Sequence, residues 1–521
     1  MKHTIIILSA IVLLIAGSAV VDNDADPVMV LRVNVDDTHQ VIHNFGASDA
    51  WSIQFVGTEW PESSRKQIAE LLFSTETDPG GNPKGIGLSA WRFNIGGGSA
   101  GQGEESRIRD PWRRAECFLN ADGTYDWSRQ EGQMWFLQEA KKYGVADLIG
   151  FVNSPPVHYT KNGKAWSDDG LSSNLPAEHY EDFAVFLAEV VQGGRARTGI
   201  TFDYISPFNE PQWEWKCCKQ EGSPWNNDEL ARATRVIDRV FSGKSISDTK
   251  IEVTEAGQID YLYDAGKSPG NRSNQVEAFF DPASANYIGD LEHLAPKIAG
   301  HSYFTTWNRK RLIDSRLQLR EKMESVNDDL EYWVTEYCIL ENNREIRGNG
   351  MDLGMDPAIY VARVIHADLV HAEASAWQWW LAVSPYDYKD GLIYISKVDP
   401  LQEVRDSKML WALGNYARFI RPGSIRIGIG SQGGAGEPDR GGLHASAFLT
   451  PDREIVVVMV NEDHEQKNVR LEDVPEKAGS MRVYHTTADP QDNLRLAGEH
   501  AADGKISIPP RSVVTCVISL Y

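Results

Sequence analysis

The sequence predicts an α/β fold: a (β/α)₈ barrel followed by an antiparallel β-sandwich. Three observations carry this. Short apolar runs alternate with amphipathic helical stretches eight times across residues 41–419; at this length such alternation makes a parallel sheet closed into a barrel. Past Arg421-Pro422-Gly423 the helical period stops and short strands divided by turns take over. Polar residues, Asn209-Glu210-Pro211 among them, stand just after the apolar runs, where such barrels keep their chemistry. A doubly wound open sheet is the competing arrangement. No Gly-x-Gly-x-x-Gly opens a helix after the first run, which weakens its nucleotide-binding version. Gly96-Gly97-Gly98 follows the second run, but three glycines alone say little.

In chain order, Met1-Lys2-His3, the apolar residues 4–16 and Gly17-Ser18-Ala19 form a leader pattern, with cleavage expected near Ala19. A buried first strand or helix is the other reading; the acidic stretch 22–26 favours the leader. The run is shorter than the roughly 20 residues that span a bilayer, and no later run is long enough, so no membrane insertion is expected after cleavage. Residues 28–35 read as an early strand. The eight barrel runs fall at 41–50, 88–95, 146–152, 202–208, 250–254, 298–304, 331–335 and 374–381. Helical patterns occupy 63–73, 131–143, 177–191, 227–241, 309–326, 357–371 and 406–419, while 266–274, between the fifth and sixth runs, reads as loop. Sandwich strands are expected at 443–449, 454–461, 480–485, 505–508 and 513–520. The expected units are thus a leader (1–19), an N-terminal strand segment (20–40), a barrel (41–419) and a sandwich (420–521).

Composition narrows the partners. Basic residues number 52 and acidic residues 74, a net charge of −22, so a phosphate backbone would repel the chain and nucleic acid is not an expected partner. The 16 tryptophans suit sugar faces, and equally suit a large core. Five cysteines (Cys117, Cys217, Cys218, Cys338, Cys516) leave at least one thiol free. Cys217 or Cys218 could close a loop disulfide with Cys117, or all could be buried thiols. Without a Cys-x-x-Cys pair or a histidine cluster of ligand spacing, neither metal nor cofactor is expected.

Two glutamates stand out. Glu210 follows the fourth run and Glu336 the seventh. They lie 126 residues apart (336 − 210), or 42 for each of three βα units, which places them across one barrel mouth. Facing carboxyls are what glycoside hydrolysis with retention requires. The bland alternative is an acidic residue favoured at a helix N-terminus. Glu255, after the fifth run, shows that such glutamates are not unique; it is read as either substrate-binding or structural.

The segments 44–51, 91–99, 153–156, 205–211 and 333–337 together resemble glycoside hydrolase family 30, in that family's order. The resemblance implies a sandwich packed beside the barrel and built from both chain ends. It implies Glu210 as acid/base and Glu336 as nucleophile. Asn209 would bind the sugar 2-hydroxyl, Arg92 would keep Glu336 ionised, and Tyr303 would hydrogen-bond it. His301 has a site reading and a core reading. Asp49, Trp51 and Asn153 would line the innermost subsite. Period-two alternation puts Trp377 and Trp379 on one face and Trp380 on the other, and Trp380 is taken as the sugar platform. Trp213 and Trp215 read as aglycone subsites or as loop packing. Residues 335–340 look most like the endo-β-1,6-galactanase branch. The expected function is therefore an exported endo-glycosidase acting on a polysaccharide, β-1,6-galactan of arabinogalactan first. β-1,6-Glucanase, xylanase and a non-catalytic glycan-binding protein are the alternatives.

Overall fold

A computed structural model describes residues 28–398, 403–431, 442–475 and 478–521. The leader therefore lies outside the described residues. Strand β1 (Val28–Ile42) leads directly into the barrel strands β2 (Asn44–Asp49), β3 (Ala90–Asn94), β4 (Asp147–Phe151), β5 (Tyr204–Ser206), β6 (Lys250–Ile251), β7 (Thr254–Ala256), β8 (Lys297–His301), β9 (Glu331–Glu336) and β10 (Ala376–Trp380). Their order is β6-β5-β4-β3-β2-β10-β9-β8-β7, with every pairing parallel. Because β6 and β7 are two pieces of the fifth barrel strand, this order closes an eight-membered ring.

The helices begin where their caps dictate. Asn226 and Glu229 form a reciprocal capping box at Asn227–Gly243. Asn308 accepts the Arg311 N–H at Arg309–Val326, and Ser407 accepts the Leu410 N–H at Lys408–Ala417. Between β7 and β8 only two short helices form, Asp260–Tyr263 and Gln275–Phe280, so the stretch read as loop lies between them.

Alternation along each strand sorts the side chains. In β3, Trp91 and Phe93 face outward, packing on Phe73 of a helix and on Phe202 just ahead of β5, while Arg92 points into the barrel toward Glu255 and Glu336. Ile149, Trp333 and Ala376 close the lower lumen as a small cluster.

Beyond β10, three short strands, β11 (Val383–Ser384), β12 (Ile393–Tyr394) and β13 (Arg405–Asp406), pair among themselves. The sandwich follows: β14 (Ser424–Ser431), β15 (Leu443–Leu449), β16 (Glu454–Asn461), β17 (Lys467–Glu472), β18 (Ala478–Thr486), β19 (Arg495–Ala501), β20 (Lys505–Ile508) and β21 (Ser512–Leu520). β1 joins it, antiparallel to β14 and parallel to β17. Leu31, Val33, Val457, Met459 and Val514 belong to a second core, separate from that of the barrel. The two units meet through Lys408–Ala417: Asn415 donates to Thr486 Oγ1 (2.8 Å) and accepts from Thr515 (2.9 Å). Among the described residues no helix is long and apolar enough to cross a membrane.

Candidate active site

Glu210 and Glu336 meet at the C-terminal mouth of the barrel, nine-tenths or more buried. A carboxyl oxygen of each and a ring nitrogen of His301 all lie within 4.8 Å of one another. Glu336 accepts the Tyr303 hydroxyl (2.9 Å) at one oxygen and Arg92 Nη1 (3.4 Å) at the other. Burial pushes the Glu336 carboxyl up to about 6; Glu210 adds to the rise, while His301, Arg92 and the Tyr303 hydroxyl oppose it. Arg92 thus limits the rise without abolishing it. Glu210 sits at φ 43°, in the left-handed region, a conformation costing a side chain roughly 1–3 kcal/mol.

His301 joins the pair to a deeper layer. Its Nδ1 lies 3.2 Å from Glu210 and 3.8 Å from Glu336, and its Nε2 lies 2.8 Å from Glu255. Burial disfavours its charge, but these three carboxylates outweigh that and raise the ring to about 10. Glu255 has no exposed surface. It takes hydrogen bonds from Ser206 (2.8 Å) and Thr335 (2.7 Å) and an ion pair from Arg92 (3.0 Å). Although burial works against the anion, Arg92 and His301 hold Glu255 well below the usual carboxylate range. Below it Lys297 and Glu252 form a buried ion pair (2.5 Å), with Lys297 stacked over Trp333 and Tyr204. A metal ion bound by Glu210, His301 and Glu336 would have to displace the His301 proton.

Around this centre, Asn153 and Asn209 are almost wholly buried, and their amide oxygens have no partner among the described residues. They are acceptors left for a ligand's hydroxyls. Of the strand-ten tryptophans, Trp377 and Trp379 have no exposed surface and spend their indole N–H groups on Asp368 and on backbone carbonyls. Trp380 keeps 8 % of its surface and meets Trp51 edge-on at 5.1 Å. Trp51 is covered by the Arg113 guanidinium (4.6 Å). Asp49 departs from expectation: its oxygens accept the N–H groups of Trp51, Ile53 and Val383, and it has no exposed surface, so it anchors the turn carrying Trp51 instead of meeting sugar. Trp213 is half-buried against Tyr261 and Phe304. Trp215 donates its indole N–H to the Glu210 carbonyl (3.0 Å), which is a packing role. Cys217 bonds to its neighbour Cys218, not to Cys117, which is a buried free thiol like Cys338 and Cys516.

The model for O-glycosyl hydrolase family 30 matches residues 28–394, and that for the glycosyl hydrolase family 30 beta sandwich domain matches 423–516. The chain belongs to glycoside hydrolase family 30. The family is one of O-glycosyl hydrolases. A conserved exported protein from Bacteroides fragilis is 35% identical, over 94% of this chain and 100% of that one, with a TM-score of 0.87. The catalytic domain of xylanase C from Talaromyces cellulolyticus shares the fold at 21% identity, over 94% of this chain and 100% of that one, with a TM-score of 0.66. A curated endo-beta-1,6-galactanase of Hypocrea rufa is 24% identical over 220 residues, 39% of this chain. The match spans 46% of that relative, a little under half its length.

Three contributors to this family 30 site escape a reading of the sequence. Glu221 is buried and accepts the N–H groups of Gly97 (2.8 Å) and Ser99 (2.9 Å), which pins the loop after Asn-Glu-Pro to the triglycine turn. No local motif signals that contact. Glu252 and Lys297 did leave a signal, since each is a charge placed in or beside an apolar run.

Proposed function

We propose that the chain is an exported endo-glycosidase that hydrolyses β-1,6-linked galactan, as in arabinogalactan side chains, with retention of configuration. One observation carries the catalytic reading: the Glu210 and Glu336 oxygens approach within 4.8 Å. Retention needs carboxyls about 5–5.5 Å apart, whereas inversion leaves about 6.5–9.5 Å for a water. Glu336 attacks the anomeric carbon while Glu210 gives its proton to the leaving oxygen; the glycosidic bond breaks and a glycosyl ester forms. Glu210 then takes a proton from water, whose oxygen displaces Glu336. Arg92 and the Tyr303 hydroxyl keep the Glu336 oxygens aimed and ionised. Asn209 and Asn153 offer acceptors to the sugar bound between the glutamates, and Trp380 with Trp51 forms its floor.

The galactan assignment is supported by the relative named an endo-beta-1,6-galactanase. Export is supported by the leader pattern and by the similar protein described as exported. The test is incubation with arabinogalactan, β-1,6-glucan and xylan, with products separated by size and the first anomer read by NMR. Galacto-oligosaccharides released from arabinogalactan as the β-anomer are expected. Release from glucan or xylan alone would move the substrate assignment, an α-anomer first would refute retention, and release from none would overturn the reading.

A further inference from the structure

Glu255 is a buried carboxylate that the two-glutamate chemistry leaves without a task. It reaches no cleft surface, so it cannot touch a sugar. It is nonetheless heavily invested: Ser206, Thr335, His301 and Arg92 all point at it, and its backbone sits at a left-handed φ of 57°. We propose that Glu255, itself held by the Arg92 ion pair, is a positioning residue that fixes His301 as an imidazolium between Glu210 and Glu336. One immobile cation then serves whichever of the two glutamates is the anion.

The inference rests on the catalytic pair proposed above, and follows from counting charge. Before glycosylation the anion is Glu336 and the proton is on Glu210. In the glycosyl-enzyme Glu336 is a neutral ester, and Glu210, having given its proton to the leaving oxygen, is the anion. The negative charge therefore changes sides while its amount stays constant. His301 Nδ1 lies 3.2 Å from one carboxyl and 3.8 Å from the other, so it reaches both states without moving. With Glu255 and Arg92 included, two cations face three carboxyl groups, one of which is always uncharged, and the cluster is neutral at every stage. Neutrality matters because unbalanced buried charge is costly. The other groups facing the ring fit this account. Tyr303 packs edge-on at 5.6 Å as a neutral phenol, and the Glu252–Lys297 pair beneath Glu255 balances itself. The rise of His301 to about 10 agrees with a ring that stays protonated throughout the working range.

The experiment is ¹⁵N-histidine NMR of the whole protein at pH 8, with the His301 signal assigned by its loss in His301→Asn. A doubly protonated ring is expected; a neutral His301 in the unsubstituted protein overturns the proposal. In Glu255→Gln the ring should titrate nearer the ordinary 6.5, and the alkaline limb of kcat/KM should move down by about one pH unit or more. Its kcat should fall about 10- to 100-fold, the order seen when a carboxylate orienting a metal-bound histidine is removed, with KM little changed and part of the loss restored in Glu255→Asp. Glu255→Gln with an unaltered imidazolium signal and pH profile would also overturn it. If that variant does not fold, the signal of the unsubstituted protein decides alone. That readout needs no substrate. Imidazolium in a protein inert on every glycan would sink only the glycosidase reading, and neutral His301 in an active enzyme only this one.

Discussion

Replacing Glu336 by Gln keeps the shape of the side chain and removes the nucleophile. Turnover should fall by more than about 10⁴-fold, the order seen when a nucleophile is lost, while glycan binding by calorimetry and the unfolding midpoint stay near normal. Glu210→Ala should differ. An aryl glycoside with a good leaving group needs no acid, so the glycosyl ester on Glu336 should accumulate and be visible by mass spectrometry, and azide should restore turnover with a β-glycosyl azide as product. Rescue of that kind in Glu336→Gln would reverse the two roles. Because Glu336 is held near 6, kcat/KM should fall as pH drops through about 6 and the nucleophile takes up a proton. Tyr303→Phe removes a donor that favours the anion, so this acidic limb should move to higher pH; a shift to lower pH would contradict the assigned hydrogen bond. At this scale the sequence is most legible where alternation within a strand dictates position, as for Arg92, or where a residue stands at the end of a barrel strand, as for Glu210 and Glu336. It is least legible where a role depends on which groups surround a residue. Asp49 shows this, its oxygens being consumed by three backbone N–H groups from two segments.

Elements were readable in proportion to how one-sided their burial is. Arg309–Val326 has the same bounds in sequence and structure because a cap and an amphipathic period agree. β19 escapes the sequence reading: it lies at the sheet edge, exposed on one face and only partly buried on the other, and is held by its ladder to β18, so no apolar alternation marks it. β17 and β14 were missed as well; one is short and polar, the other ends among glycines. Helix contacts are invisible in a single pattern, and one of them supports the site. Ser52–Glu59, which starts beside Trp51, crosses Glu131–Lys142 at two glycines: a Cβ on Gly132 would lie 2.0 Å from the Gln54 carbonyl, and one on Gly57 would lie 2.3 Å from the Gly132 Cα. Gln133 also donates to the Asp49 carbonyl (2.8 Å). Gly132→Ala should therefore cost about 1–3 kcal/mol by urea unfolding, since backbone must yield, and should raise KM by tilting the turn that bears Trp51. An unchanged midpoint would mean that the helices part freely.

For the whole molecule, the link between barrel and sandwich has its own pH dependence. Glu462 of the sandwich meets His444 (2.9 Å), and Arg363 (3.2 Å) and Arg309 from the barrel's helices. Burial alone would raise its carboxyl, but these partners bring it down to about 2. A depressed carboxyl stabilises the folded form above its ordinary 4.5, and that contribution is lost as pH falls toward 2. The amount is about 3 kcal/mol, so Tm should fall more steeply between pH 5 and 2 in the parent than in Glu462→Gln; parallel curves would remove Glu462 from the interface account. The pairing of β1 with β14 and β17 has a consequence in time. During synthesis the strand at 28–42 emerges before the barrel yet meets no neighbour in its sheet until residues 424–431 and 467–472 have left the ribosome. Pairing partners so distant along the chain close slowly. The sandwich is thus the last part to assemble, and a nascent chain stays without its clasp for nearly the whole of translation.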